Sequence, residues 1–351
     1  MAIAGQAFVV GVLETPVGTV PRVATVLAGR DRWGTLLVRL GFGRMRYTVE
    51  PGLYGVGAPN EDSPVLVTAN YKLSFDHLRA ALVGLDAWVL VLDTNGINVW
   101  CAAGKGAFGT AALCAQVAAS RLAQLVRHRR LVVPQLGAPG IAAHAVKQQS
   151  GFAVVYGPVL ARQLPEFLAR GMQATPAMRR KTFLLAERAV LIPVELVIAG
   201  KWALLLALLL AGASGLFGPA TFWENVREHG GWTLAGLGSG LLAGTVLTPL
   251  LLPMLPGRAF SLKGGVAGLL AALIFLAPFF SRSEGEGSAL AALAWLLIIS
   301  AVSSFFGMEF TGASTYTSLS GVKKEMRIAV PLQAAAGICG MLLLLWAKRV
   351  Q

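Results

Sequence analysis

Five apolar stretches in the second half of the 351-residue chain, about residues 192–217, 232–255, 262–280, 289–306 and 328–346, constrain its fold more than anything else. Each is close to the roughly 20 residues a helix needs to cross a bilayer, so the expected second half is an all-α transmembrane domain of five helices, residues 191–351. The third and fourth are the shortest and leave a buried core helix as an alternative for either. Charge divides the chain the same way: residues 1–190 carry 20 Lys/Arg and 10 Asp/Glu, against 10 and 7 in the remainder. Three units follow: a polar domain over 1–170, a basic linker over 171–190, and the membrane domain.

If Arg179-Arg180-Lys181 is cytoplasmic, the inner loops hold Arg258, Lys263, Lys323, Lys324 and Arg327, and the outer ones Arg227 and Arg282. That bias places the first half in the cytoplasm, with Lys348 and Arg349 as a weaker vote against. The start, Met1 to Phe8, has no basic region and no uninterrupted apolar core, so it does not read as a secretory signal. Glu195 and Lys201, near the start of the first span, read as interfacial side chains rather than an ion path. The net charge of +13 raises nucleic acid as a partner, but no basic-aromatic motif or helix-turn-helix accompanies it.

In the first half, four β-rich runs alternate with helical patterns: residues 64–68, 87–93, 130–134 and 152–156, with helices over 75–83, 109–126 and 141–149. Their continuous apolar character predicts βαβ units and a parallel, Rossmann-like α/β sheet. Ligands of such sheets bind beyond the carboxyl ends of the strands. Here those ends carry Thr68-Ala-Asn70-Tyr71, Asp93-Thr94-Asn-Gly96, Gln135-Leu136-Gly137-Ala-Pro-Gly140 and Gly157-Pro158, turns that equally serve as plain tight connections. The opening, rich in Gly, Pro and Arg, resists assignment in detail.

Gly104-Lys-Gly106-Ala-Phe-Gly109 matches G-x-G-x-x-G but begins eleven residues after Asp93, and no Asp or Glu occurs from Thr94 to Pro165 to hold a ribose. A dinucleotide fingerprint and a Walker A loop both fail on spacing. Asn98-Val-Trp-Cys-Ala-Ala-Gly-Lys105 instead reads as one or two turns of helix, with Asn98 as N-cap and Gly104 as C-cap. The three cysteines, Cys101, Cys114 and Cys339, are too few and too far apart for a cluster or a disulfide framework. Cys114 and Cys339 read as small buried hydrophobes. Cys101, near a helix start with Lys105 one turn on, reads as a thiolate ligand or nucleophile.

At Arg44-Met-Arg-Tyr47, Asn60 through Tyr71, Asn98 through Lys105, Pro134 through Gly140 and Val155 through Pro158, the chain resembles the corrinoid-binding module of the corrinoid iron-sulfur protein large subunit, and within that family its mercury-methylating branch. The resemblance covers most of residues 40–170, and the Asn98–Lys105 block is its most specific part. It implies a corrinoid (cobalamin, with its cobalt) bound base-off, with Cys101 as the lower axial ligand on a cap helix. Asn98 and Trp100 would hold that helix, and Lys105 would favour the thiolate. Thr68, Asn70, Gln135, Gly137 and Tyr156 would line the corrinoid edge or its tail, with Thr94, Val99, Ala102, Gly104, Leu136 and Gly157 in the same loops.

The chain lacks cluster-binding cysteines, so the resemblance implies an external reductant, a small ferredoxin-like protein with two 4Fe-4S clusters. It also implies a methyl donor protein or methyltetrahydrofolate-linked methyltransferase, and Hg(II) as methyl acceptor. A corrinoid methyl carrier of a one-carbon pathway and a non-catalytic membrane cobalamin sensor remain as alternatives.

Overall fold

The computed structural model of the chain describes residues 6–216, 220–280, 286–313 and 319–350. It falls into two units: residues 1–38 with 42–182, and residues 39–41 with 183–351.

The first unit is built on a seven-stranded sheet. Its strands are β1 (Val9–Thr15), β2 (Gly18–Val23), β3 (Gly52–Val56), β4 (Val65–Ala69), β5 (Ala87–Leu92), β6 (Arg130–Val133) and β7 (Ala153–Tyr156), in the order β1-β2-β3-β5-β4-β6-β7. The helices between them are α1 (Gly29–Arg39), α2 (Lys72–Ala80), α3 (Val99–Lys105), α4 (Thr110–Ala119), α5 (Leu122–Leu125), α6 (Ala143–Ser150) and α7 (Leu164–Ala169).

Strands β5, β4, β6 and β7 are the four predicted from apolar runs, and they pair in parallel. Every residue of β4 and β5 is buried, and their side chains divide with the period of two that a pleated strand imposes. Val65, Val67, Ala69, Trp88, Leu90 and Leu92 enter the core shared with α3 and α4. Leu66, Ala87, Val89 and Val91 enter the opposite core with Phe75, Leu78 and Phe167. Each Val or Leu side chain among them contributes about 1.5–3 kcal/mol on burial, so a one-residue register slip, which moves every side chain to the wrong face, is strongly disfavoured.

Two expectations need correction. The sheet is mixed rather than wholly parallel, because β3 runs antiparallel to β5 and the β1–β2 hairpin extends that edge. Strand β1 alternates half-buried and exposed positions, the signature of a one-faced strand, within the stretch that resisted assignment. The helix expected over 109–126 is broken into α4 and α5 at Arg121, whose φ of 47° lies in the left-handed region.

Chain order β4, β5, then β6 on the far side of β4 reverses the winding between β4 and β6. A doubly wound sheet opens its ligand crevice at such a switch, beyond the strands' carboxyl ends. Here the flanking segments are the turn after Ala69 and the 3-10 turn Gln135–Gly140.

Among the described residues of the second unit, five helices are long and apolar enough to cross a membrane: Leu185–Leu216, Phe222–Leu251, Phe260–Pro278, Ser288–Gly312 and Gly321–Ala347. The middle three bury 39% of their most apolar window against 11% for the first and last. The fourth span is the hub, and glycines let its neighbours approach. A Cβ on Gly264 of the third span would lie 2.6 Å from the Ser303 carbonyl oxygen, and one on Gly340 of the fifth would lie 2.6 Å from the Ile298 side chain. The Ser303 hydroxyl donates to the Gly264 carbonyl at 2.7 Å, and Gln333 Nε2 donates to Ser304 Oγ at 2.9 Å.

Candidate functional site at the carboxyl edge of the sheet

The loop after β5 turns through Asn95 and Gly96, both at positive φ, and delivers the chain to α3. Asn70, one residue past β4, clasps that loop. Its Oδ1 accepts the backbone N–H groups of Thr94 and Gly96, each at 3.0 Å, and its Nδ2 donates to Asp93 at 3.1 Å. The Thr94 hydroxyl lies 2.8 Å from the same Oδ1 and 2.7 Å from the Ile97 carbonyl. Asn70 and Thr94 are buried, as is Thr68, so this group ties the ends of two strands together from within.

Helix α3 is short, and its N-terminus is closed by Asn98, whose Oδ1 accepts the Cys101 backbone N–H at 2.9 Å. Its C-cap is Gly106, at φ 85°, rather than Gly104, which lies in the last turn. The left-handed conformation that ends a helix favours glycine, and two glycines two apart both qualify on sequence. Ala102 and Ala103 are buried, while Val99, Trp100 and Cys101 are half-buried and Gly104 and Lys105 exposed.

The inner face of α3 rests on the Gln135–Gly140 turn. A Cβ on Gly137 would sit 2.5 Å from the Phe108 ring and 3.3 Å from the Val99 side chain, and one on Gly140 would sit 3.0 Å from the Ala103 backbone. Phe108, fully buried, is the wedge that holds helix and turn together. It went unnoticed in the sequence because an isolated aromatic in a connection carries no periodic signal.

Thus the structure joins the Asn98–Lys105 block to the Gln135–Gly140 turn at Gly137 and Gly140, and joins Thr94 to Asn70. Other expected contacts are engaged elsewhere. The Tyr156 hydroxyl donates to the Ile141 carbonyl at 2.6 Å, and Gln135 Oε1 accepts from Arg179 at 3.0 Å. The Gly157 N–H donates to the Val133 carbonyl, extending the pairing of β6 and β7. Cys114 is half-buried against the core rather than fully buried, and partial burial pushes its thiol up against a weaker opposing hydrogen bond with Ser150. Cys339 is exposed on the fifth span rather than buried, facing outward from the helix bundle.

A second group escaped the sequence reading. Asp31, Lys72, Asp76 and Arg79 form a buried ion network beside the turn after β4. Arg79, fully buried, contacts Asp76 at 2.7 Å and Asp31 at 2.8 Å, while Lys72 contacts them at 2.6 and 2.7 Å. Burial alone would raise the Asp31 pKa, but hydrogen bonds from Lys72, Arg79 and the Ala28 N–H outweigh it and lower it from 3.8 to about 2. The Lys72 N–H donates to the Tyr47 carbonyl, so the network also fixes the 44–48 segment. Its signal was present as Lys72, Asp76 and Arg79 at helical spacings of four and three.

Among the described residues no group of three or more His, Cys, Asp or Glu is placed to hold a metal ion.

Residues 26–168 match the family described as CO dehydrogenase/acetyl-CoA synthase delta subunit. The chain is 36% identical over 124 residues to the acetyl-CoA decarbonylase/synthase complex subunit gamma of Methanopyrus kandleri, covering 35% of this chain and 26% of that one. It is 30% identical over 151 residues to the corresponding subunit of Methanothermobacter thermautotrophicus, covering 41% and 32%. It is also 30% identical over 112 residues to the corrinoid/iron-sulfur protein large subunit of Moorella thermoacetica, covering 31% and 25%. The chain thus spans about a quarter to a third of the length of these relatives. Over the body of its first unit, the chain is homologous to the gamma subunits of acetyl-CoA decarbonylase/synthase complexes and to the large subunit of a corrinoid/iron-sulfur protein.

Proposed function

We propose that this chain is a membrane-anchored, corrinoid-dependent methyltransferase of the mercury-methylating HgcA branch, which delivers a methyl group to inorganic Hg(II). The observation that carries the reading is the placement of Cys101 in a helix braced on the Gln135–Gly140 turn beside the sheet's switch point. The bound corrinoid supplies a cobalt-carried methyl group. Cys101 would hold the cobalt through its thiolate, which would make the carried methyl group more electron-rich. An electron-rich thiolate at Cys101 would suit an electrophilic acceptor such as Hg(II), whether the methyl group moves as a carbanion or as a radical, because the identity of a metal's ligand is a recognised lever on its reactivity. Asn98 holds α3 in register, Phe108 and Gly137 set its height, and the Asn70–Thr94 clasp fixes the approach to it.

The reductant in this reading is a small ferredoxin-like protein with two 4Fe-4S clusters, and the methyl group comes from a methyl donor protein or a methyltetrahydrofolate-linked methyltransferase. The first unit faces the cytoplasm. Purified full-length protein and its Cys101→Ala variant, both loaded with corrinoid, test the assignment by visible absorption and EPR spectroscopy. A base-off spectrum that changes on removal of the thiol supports thiolate ligation, and methylmercury formation is then lost in the variant. Identical spectra from two loaded proteins overturn it.

A second reading, a methyl carrier of a one-carbon pathway, is favoured by the relatives' acetyl-CoA decarbonylase/synthase descriptions. Faster methyl transfer to a thiol or carbonyl acceptor than to Hg(II) would establish that role instead.

A further inference from the structure

The segment from Val26 to Arg46, whose helix α1 the described site does not use, presents an apolar and basic surface. Trp33 and Leu36, three apart on α1, are 61% and 46% exposed, and beyond the helix Phe42 and Met45 are 53% and 66% exposed. Large side chains of this kind are more often buried, and four of them are exposed within the short stretch from Trp33 to Met45. The same segment carries Arg30, Arg32, Arg39, Arg44 and Arg46 against one acid, Asp31. Asp31 is buried and paired with Lys72 and Arg79, so it offsets none of the arginine charge at the surface.

We infer that α1 and the Arg44–Arg46 turn form an interfacial foot that seats on an anionic phospholipid surface. Three observations select lipid as the occupant. Tryptophan with flanking arginines is the composition of the membrane–water interface, where the indole and aliphatic groups enter the headgroup layer and the guanidinium groups meet lipid phosphates. Five helices long and apolar enough to cross a bilayer follow in the same chain, which holds the segment at high effective concentration near lipid. Asp31, the segment's one acid, is held in buried ion pairs, so the charge it offers to lipid phosphates is positive throughout. The Arg44–Arg46 turn further adjoins the candidate site, since a Cβ on Gly96 would lie 3.2 Å from the Met45 carbonyl oxygen. Seating the foot would therefore hold the α3 loop close to the membrane surface. This inference rests on the helices crossing a bilayer and stands apart from the corrinoid reading.

Hydroxyl-radical footprinting of the full-length protein in lipid nanodiscs tests it, with side-chain oxidation read by mass spectrometry and the exposed His144 as internal reference. Oxidation of Trp33 and Met45, relative to His144, is expected to be about threefold lower in phosphatidylglycerol-containing discs than in phosphatidylcholine discs. It should recover in the anionic discs on raising salt to about 0.5 M, and in the Arg30→Gln/Arg32→Gln/Arg44→Gln variant. Equal oxidation in the two lipids overturns the proposal. So does protection in both lipids alike, which would mark burial against a second copy, and protection appearing only on addition of an acidic ferredoxin-like protein, which would mark a protein-docking surface. The salt arm uses unaltered protein, so a misfolded variant does not decide the outcome.

Discussion

The Cys101 backbone N–H donates to Asn98 Oδ1 at 2.9 Å, so the residue that starts α3 also fixes the peptide of the proposed ligand. Asn98→Ala removes this cap and should cost about 1 kcal/mol of local stability, while Asn98→Ser and Asn98→Asp retain most of it. Hydrogen exchange at Ala102 and Ala103 is the measurement, because faster exchange there with little change in β4 or β5 distinguishes a loosened α3 from global unfolding.

Gly137 and Gly140 respond differently to the same test. Gly137→Ala drives a methyl group into the Phe108 ring and should cost about 1–3 kcal/mol. Trimming that ring with Phe108→Leu should relieve part of the cost, giving a favourable coupling of about 0.5 kcal/mol or more in a double-mutant cycle. Gly140→Ala meets the Phe108 backbone carbonyl instead, so the same trimming should give no relief. Denaturant unfolding of the wild type, the three single variants and the two double variants decides the point.

Acid stability should report the ion network. The Asp31 pKa is lowered from 3.8 to about 2, so its contribution is fully present above the unfolded value and is lost as pH falls through the folded one. Unfolding free energy of the wild type should therefore drop between about pH 4 and 2, with the Asp31→Asn variant less stable at pH 7 but flatter across that window. At the other extreme, the Lys72 pKa is raised: burial opposes the rise, and the hydrogen bonds its ammonium donates to Asp31 and Asp76 outweigh it. The stabilisation is present below its unfolded pKa and declines as pH climbs through the raised one.

In the helix bundle, Gly264 and Gly307 approach so closely that a Cβ on Gly307 would lie 2.7 Å from the Gly264 Cα. Gly307→Val should separate the third and fourth spans and lower the midpoint of unfolding in a detergent titration. Gly238→Val, at a position with open space around it, serves as the control.

Much of the α/β framework was legible in the residues because strands buried on both faces must be apolar throughout. Val65–Ala69 and Ala87–Leu92 can be read for that reason. The β1–β2 hairpin was not, since an edge strand buries only one face and its glycine and proline content resembles a loop. Within the site, Asn98 was legible as a cap because capping depends on neighbours three residues apart. Phe108 packing on Gly137 and the Asn70–Thr94 clasp were not, because they join residues separated by more than twenty positions. The Asp31–Arg79 pair spans 48 positions and is hidden for the same reason.

By itself the sequence determined which segments are apolar enough to form membrane helices and buried strands, and which short block can make a capped helix around Cys101. Those properties follow from solvation and from hydrogen bonding between near neighbours, both written locally along the chain. Only the tertiary structure decided that the sheet is mixed, that its winding reverses between β4 and β6, and that α3 rests on the Gln135–Gly140 turn. Strand order and the seating of one element on another depend on packing between distant segments, where shape, buried charge and the absence of a Cβ at two glycines settle what composition leaves open.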